Sequence, residues 1–318
     1  MHTVISISVK TPCCSLLGLF CADGEEIGKG TDRLICISID DAGNAGVPMS
    51  RPLWVVTLIE KGFPYRFFLA RLTRVPILRR IMEYLFFEGD HMIYLPTEKV
   101  IRINKSVNTD TESMVLPSHI VEYFIQKANY LWIMNFCICR DTMQCKDYPI
   151  KLGCLFLGEA AMDINPQLGR PATKKEALEH VQKCREAGLV HLIGRNKLDA
   201  VWLNVGPQNK LLTVCNCCPC CCLWRMLPDL APEISTSITR MPGVTVTVTD
   251  ACVGCGTCEQ VCFVNAITVV NGRAVISDQC RGCGRCVEIC PHKAIELSIE
   301  GDFVEKSIER IAELVDVS

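Results

Sequence analysis

An excess of charge of either sign is missing from this 318-residue chain: 33 lysines and arginines stand against 35 acids, a formal net charge of −2. That balance excludes a strongly basic nucleic-acid binder. Also missing is an uncharged apolar run of the roughly eighteen residues that a transmembrane helix needs. The stretch Ser15-Leu-Leu-Gly-Leu-Phe-Cys21 has neither a charged start nor small residues before its cysteine, so it does not read as an export signal. No glycine loop of the phosphate-binding kind follows a strand, and Gly28-Lys-Gly30 lacks the downstream pattern.

Cysteine is what the chain has in excess. There are 23, in a sequence that is 49% hydrophobic and long enough to bury a sizeable core. Secreted scaffolds this rich in cysteine are usually small chains without a core. Eighteen of the cysteines fall in three tight groups between Cys137 and Cys290. Spacings of two or three residues suit metal and iron–sulfur ligation better than disulfide pairing. The expected setting is a reducing, oxygen-poor compartment, the cytoplasm of an anaerobic cell.

Two stretches align at an offset of 28 residues, Asp250–Ile267 and Asp278–Ile295. Nine of their eighteen positions are identical, including all four cysteines and both glycines, so a duplicated unit is implied. Each carries C-x2-C-x2-C-x3-C. Three cysteines in a glycine-containing loop can wrap one cubane, while the fourth, on a following helical turn, points toward the other cluster.

This stretch, about 243–300, resembles bacterial-type ferredoxins with two [4Fe–4S] clusters. The resemblance implies that Cys252, Cys255, Cys258 and Cys290 hold one cluster and that Cys280, Cys283, Cys286 and Cys262 hold the other. Pro291 matches the family proline after the last cysteine, whereas Phe263 replaces proline in the first unit. Val244–Thr249 and Ile295–Ile299 read as strands, with a tight hairpin at Asn271-Gly272. Gly254, Gly256, Gly282 and Gly284 leave room for backbone amides to approach cluster sulfur.

Two further cysteine groups lie upstream. One is Cys137, Cys139, Cys145 and Cys154; the other packs six cysteines into Cys215–Cys222. Adjacent Cys217 and Cys218 point apart, so they suit two different clusters, or an unusual cluster, better than one cubane. Arg140 beside Cys139 favours a thiolate. The candidate ligands of at least one additional Fe–S cluster are Cys137, Cys139, Cys145, Cys154, Cys215, Cys217 and Cys218, with structural zinc and a catalytic dithiol as alternatives. The region loosely resembles cysteine-rich domains ahead of dicluster modules in redox proteins of anaerobes. Cys184 shares an apolar helical face and reads as a small core residue. His91, His119, His180 and His191 are scattered and read as surface or core side chains, and His292 as a turn residue near a cluster.

The expected class is α+β: an N-terminal cysteine-rich α+β domain followed by a ferredoxin-like dicluster module of ββα-type repeats. The expected boundaries are a leader or variable tail over 1–48 (with Met49 as the natural start), a cysteine-rich domain over 49–223, a proline-rich linker over 224–242, the dicluster module over 243–301 and a C-terminal helix over 302–318. Within the cysteine-rich domain, 53–59 reads as a buried strand, 118–132 as an amphipathic helix, 198–215 as a hairpin, and Thr173–Glu176 as a capping box with Gly188 as its helix stop. Residues 61–80 are basic and read as a solvated helix face. Peripheral membrane contact, or docking on an acidic surface such as the module from 243 onward, is the functional alternative. The function expected is electron transfer to redox partner proteins; the alternative is an oxidoreductase subunit whose upstream cluster or thiols reduce a disulfide-type substrate.

Overall fold

The computed structural model describes residues 7–9, 37–39, 45–46, 51–102 and 116–318. The chain divides into two compact units, Met1–Ser50 and Arg51–Ser318. Of the first, three short strands are described: β1 (Ile7–Val9), β2 (Ile37–Ile39) and β3 (Ala45–Gly46), with β1 parallel and β3 antiparallel to β2. The rest of the expected 1–48 leader lies outside the described residues.

The second unit is built on a seven-stranded sheet. Its strands are β4 (His91–Tyr94), β6 (Leu131–Met134), β7 (Leu155–Leu157), β8 (Gly169–Pro171), β9 (Val190–Arg195), β10 (Leu212–Cys217) and β11 (Ile238–Arg240). Their order across the sheet is β11-β4-β9-β10-β7-β6-β8, antiparallel except at the β11/β4 edge. A three-stranded sheet follows the order β12 (Val244–Val248), β15 (Ile295–Ile299), β5 (Ile101–Arg102). The hairpin β13 (Ile267–Val270) and β14 (Arg273–Ile276) completes the set. The unit is thus mixed helix and strand, of the α+β kind.

Alternation along β10 explains how one strand serves both a core and a site, since successive side chains face opposite sides of a sheet. Leu212 and Val214 join a core with Ile120, Phe124 and Ile193. Cys215 and Cys217 face the other way, toward Tyr94, Trp224 and Phe263. The helix Lys174–Glu186 opens with a complete capping box between Thr173 and Glu176, worth about 1 kcal/mol. It buries Ala177, Val181 and Cys184, and Gly188 follows it at φ +74.

Several local expectations are corrected. Residues 53–59 are not a strand but part of the helix Leu53–Gly62. An apolar run of that length does not separate the two by periodicity, and here Val56, Ile59 and Phe63 turn inward at helical spacing while Leu53, Trp54 and Leu58 are exposed. The helix expected over 118–132 ends at Lys127, because Leu131–Met134 enters the sheet as β6. The first arm of the expected 198–215 hairpin is the helix Lys197–Leu203. Asn196 caps it by accepting from the Leu198 amide, and Asn204 ends it at φ +56.

Residues 224–242 are not a linker. Trp224, Met226, Leu227, Leu230, Ile234 and Ile238 are all buried, and the segment supplies β11. Pro228 and Pro232 lie in short helices rather than in a flexible connector. The residues from 243 onward accordingly form no separate compact unit. β15 pairs with β5 through Leu297 and Ile101, and the Thr97 amide donates to the Cys283 carbonyl. The helix Phe303–Ala312 buries Val304 and Ile311 in the same core as Ile120 and Phe124. Among the described residues no helix is long and apolar enough to cross a membrane.

Candidate metal centres

The repeat seen in the sequence is a repeat of backbone conformation. Gly254 and Gly282 lie at φ +67 and +64, Gly256 and Gly284 at +77 and +83, and Asn265 and Lys293 at +51 and +50. Each pair is 28 residues apart. Gly256 and Gly284 start the short helices Thr257–Val261 and Arg285–Ile289. At Gly254 a Cβ would meet the carbonyl of Gly272 at 2.4 Å, so the cysteine loop crosses the hairpin turn where only glycine fits.

These turns group the eight thiols around two cavities. Cys252, Cys255, Cys258 and Cys290 line one, together with Pro291 and His292. Cys262, Cys280, Cys283 and Cys286 line the other, together with Phe263 and Arg285. Backbone amides donate to the sulfurs: Ala266 to Cys262 at 3.2 Å, Ala294 to Cys290 at 3.3 Å, Ala274 to Cys252 and Gly282 to Cys280 at 3.4 Å. Such bonds favour the thiolate and a more positive cluster potential. Burial pushes the Cys283 thiol up to about 11, with Cys280 and Cys262 adding to the shift.

The seven upstream candidates do not form one site. Cys137, Cys139, Cys154, Cys215 and Cys217 line an apolar cavity of about 370 Å³, joined by Cys222. Antiparallel pairing of β7 with β10 sets Cys154 against Cys215, with sulfurs 4.0 Å apart. Cys145 belongs instead with Cys220 and Cys221. Cys218, which also borders the cavity, joins that second group, and the four sulfurs of Cys145, Cys218, Cys220 and Cys221 all lie within 4.8 Å of one another. Cys220, Cys221 and Cys222 were absent from the candidate set read off the sequence. The signal that finds one of them, Cys221, is the C-x2-C pair Cys218-Pro-Cys-Cys221 inside the run of six.

Within the cavity a hydrogen bond from Cys139 and the Arg140 guanidinium bring the Cys137 thiol down to about 7 despite burial. Cys217 is lowered by hydrogen bonds from Cys215 and Cys222, with Arg285 and Arg140 adding to the effect. Four arginines are buried around the thiols: Arg66, Arg140, Arg281 and Arg285. They donate to carbonyls rather than to carboxylates: Arg140 to Pro149 at 2.9 Å, to Asn216 at 2.7 Å and to Leu152, Arg285 to Cys217 at 2.6 Å, Arg281 to Gln279 at 2.7 Å. A buried cation without a carboxylate costs several kcal/mol unless other negative charge offsets it. Metal–thiolate centres carry that charge, so the donor set and its surroundings fit iron–sulfur or metal-tetrathiolate groups.

The histidines are otherwise engaged. His191 donates through Nδ1 to Asn216 at 2.8 Å, and burial lowers its pKa to about 4. His180 donates through Nε2 to the Gly153 carbonyl at 2.9 Å. His119 Nδ1 accepts from the Leu116 amide, and Arg310 and Arg195 add to the burial that lowers His91. Cys184 is fully buried, its thiol pushed to about 12.

The basic stretch is partly neutralised from within the unit. Arg71 and Arg79 pair with Asp229 and Glu233, and Arg74 donates to the carbonyls of Pro228 and Asp229. These partners come from 228–233, not from the acidic residues beyond 243.

Two family models match the C-terminal part. The LdpA Fe-S cluster-binding domain matches residues 257–299, and the 4Fe-4S binding domain matches residues 245–268. No curated protein and no solved structure matches the chain. With the cysteine groups, these matches make the chain an iron–sulfur protein with a 4Fe-4S ferredoxin-type binding region.

Proposed function

We propose that the protein is an electron carrier or a component of a redox complex, with two [4Fe–4S] clusters in the C-terminal region and a further cluster upstream. Cys252, Cys255, Cys258 and Cys290 would hold one cluster and Cys262, Cys280, Cys283 and Cys286 the other. The observation that carries this reading is the sorting of the eight thiols into those same two sets of four, each around its own cavity. A cubane bound by four thiolates has no open coordination position and supplies one-electron transfer.

The residues of the chain would set how that transfer runs. The Ala266 and Ala294 amides stabilise charge on Cys262 and Cys290. Buried Arg285 ties the second cluster loop to the Cys217 carbonyl of β10, linking the C-terminal thiols to the upstream cavity. Four of the cavity's thiols other than Cys218, drawn from Cys137, Cys139, Cys154, Cys215, Cys217 and Cys222, would hold the upstream cluster. Iron and acid-labile sulfide per chain, with electron paramagnetic resonance of the reduced protein, test the reading. About eight irons mean the cavity binds none, since each cubane takes four, and about twelve support it. A colourless, iron-free protein after anaerobic purification would defeat the proposal.

The alternative reading is reduction of a small disulfide at the cavity, favoured by the lowered Cys137 thiol beside Cys139. Turnover of such a disulfide, abolished by Cys137→Ser with the iron content unchanged, would establish it in place of a third cluster.

For docking, we propose a membrane surface bearing anionic headgroups, met by the helical stretch 53–88. Twelve large apolar side chains are exposed between Leu53 and Leu85, including Trp54, Tyr65, Phe68, Ile77 and Tyr84. Lys61 and Arg80 lie on the same stretch. Aromatic and aliphatic side chains mixed with basic ones on short helices suit the interface of an anionic bilayer.

A further inference from the structure

We infer that Cys145, Cys218, Cys220 and Cys221 form a binding site for a single divalent metal ion held by four thiolates, of the zinc type, separate from any iron–sulfur cluster. The inference goes beyond the electron-transfer reading and does not depend on it.

Spacing between the sulfurs decides the kind of centre. Zinc–thiolate bonds of about 2.3 Å place the corners of a tetrahedron about 3.8 Å apart. Cys145 and Cys220 are separated by 3.5 Å, Cys220 and Cys221 by 3.6 Å, and every pair lies within 4.8 Å. In a cubane each thiolate binds a different iron, so the four sulfurs stand about 6 Å apart, outside the cage. A disulfide needs about 2.05 Å. The separations therefore match one ion and neither of the other two arrangements. Among the described residues, no three of the eight C-terminal thiols draw together in this way.

Local geometry points to the same centre. Cys218 and Cys221 form a C-x2-C pair at the end of β10, and the Cys221 amide donates to the Cys218 sulfur at 3.4 Å. Cys145 arrives from the turn after the helix Ile138–Thr142, where Gln144 adopts φ +47 and the Cys145 amide donates to the Arg140 carbonyl at 2.9 Å. Leu189, Tyr148, Leu152 and Cys184 pack around the four sulfurs and limit water access. The net charge of four thiolates on a divalent ion is −2. Two guanidiniums stand beside it: Arg140, whose field acts on Cys218, and Arg225, which donates to the Cys220 carbonyl at 2.6 Å. The ion would staple the 138–145 turn to the end of β10, which the described hydrogen bonds join through Arg140 and Asn216.

The test uses full-length protein purified without oxygen and dialysed against a chelator. Metal analysis is expected to give about one zinc per chain, and X-ray absorption at the zinc edge four sulfurs at about 2.3 Å. One sulfide-free iron with the same four-sulfur shell supports the site equally, and the absorption edge tells the two ions apart. Cys220→Ser is expected to lower that ion to well below half occupancy while cluster iron and sulfide stay unchanged. Two results would overturn the inference: wild-type protein with no singly bound ion in a four-sulfur shell, or Cys220→Ser removing several irons together with an equal number of sulfides. Absorption on the wild-type protein decides the question even if the variant does not fold. Loss of iron from the C-terminal thiols with this ion retained would instead count against the electron-transfer reading alone.

Discussion

Arg140 donates from Nη1 to the carbonyl of Asn216 across 2.7 Å, and its side chain has no exposure to solvent. Asn216 lies between Cys215 and Cys217, so the guanidinium holds the strand that presents both thiols. It also lies in the electrostatic reach of Cys137, Cys154 and Cys218. Arg140→Met should remove the cation and three carbonyl contacts together. A loss of stability of about 3–5 kcal/mol is expected, as for a broken buried charge arrangement. The potential of the proposed upstream cluster should move negative, because a nearby positive charge favours the reduced form. Thermal unfolding and a redox titration under anaerobic conditions check both. An unchanged potential would mean that Arg140 acts only through packing.

The crossed ligation proposed above makes a specific forecast for the fourth cysteine of each motif. Cys290→Ser should disturb the cluster served by Cys252, Cys255 and Cys258, although Cys290 lies in the second motif. Cys262→Ser should disturb the other cluster. Each variant is expected to lose up to about four irons and four sulfides. Combining Cys290→Ser with Cys258→Ser should cost no more iron than the larger single loss, whereas combining it with Cys286→Ser should roughly double it. Additive losses in the first combination would show that the sets are not crossed.

Asp90 offers a pH dependence remote from the thiols. Burial, with Asp199 nearby, raises its pKa from 3.8 to about 8, although the Lys197 amide donates to it. The native state then holds a proton on Asp90 that the unfolded chain releases above about pH 4. Stability from this group is complete below the unfolded value and is lost as pH rises toward about 8. Asp90→Asn should therefore flatten the profile, gaining on the order of 4 kcal/mol relative to wild type between about pH 5 and pH 8. Denaturant midpoints at those two values provide the measurement. A wild-type profile no steeper than that of the variant would show that Asp90 keeps an ordinary pKa.

The exposed apolar stretch is tested with vesicles containing anionic lipid. Trp54 and Ile77 are 70% and 74% exposed, so Trp54→Ser with Ile77→Ser should leave the core intact. Each large side chain is worth about 1.5–3 kcal/mol when buried, so sedimentation with vesicles should weaken at least about tenfold. Arg80→Glu and added salt should weaken it further. Absence of wild-type binding at low ionic strength would remove the membrane from consideration.

Gly254 tests the packing of the first cysteine loop. Gly254→Ala would place a methyl group against the Gly272 carbonyl at a φ of +67. A cost of about 2–3 kcal/mol is expected from strain and clash together. The same change at Gly272, where nothing lies within 4 Å, should cost only the strain of its φ of +77. Equal losses at the two sites, read from denaturant midpoints, would show that the loops do not meet as described.

Local chemistry was legible without the structure wherever it depends on residues close in the chain. The spacing of Cys252 to Cys262 and of Cys280 to Cys290, the Asn271-Gly272 turn and the Thr173–Glu176 box each act within a few residues, and their backbone geometry follows from that. An apolar run such as 53–59 carries no such internal signal, and only the partners of Val56 and Ile59 turned it into a helix. The prolines of 224–242 looked like a connector because burial of Trp224 and Ile234 is a property of the assembled core.

The sequence by itself determined that this is a cysteine-ligating protein with a duplicated C-terminal motif, because ligand spacing in a short loop is a local constraint. Only the tertiary structure decided how the upstream thiols divide. Cys154 meets Cys215 through strand pairing, and Cys145 meets Cys220 across 75 positions of chain. Adjacent Cys217 and Cys218 fall into different groups because β10 ends between them. Distances of that kind are set by sheet register and by the packing of buried Arg140, and neither is written in the spacing of the cysteines.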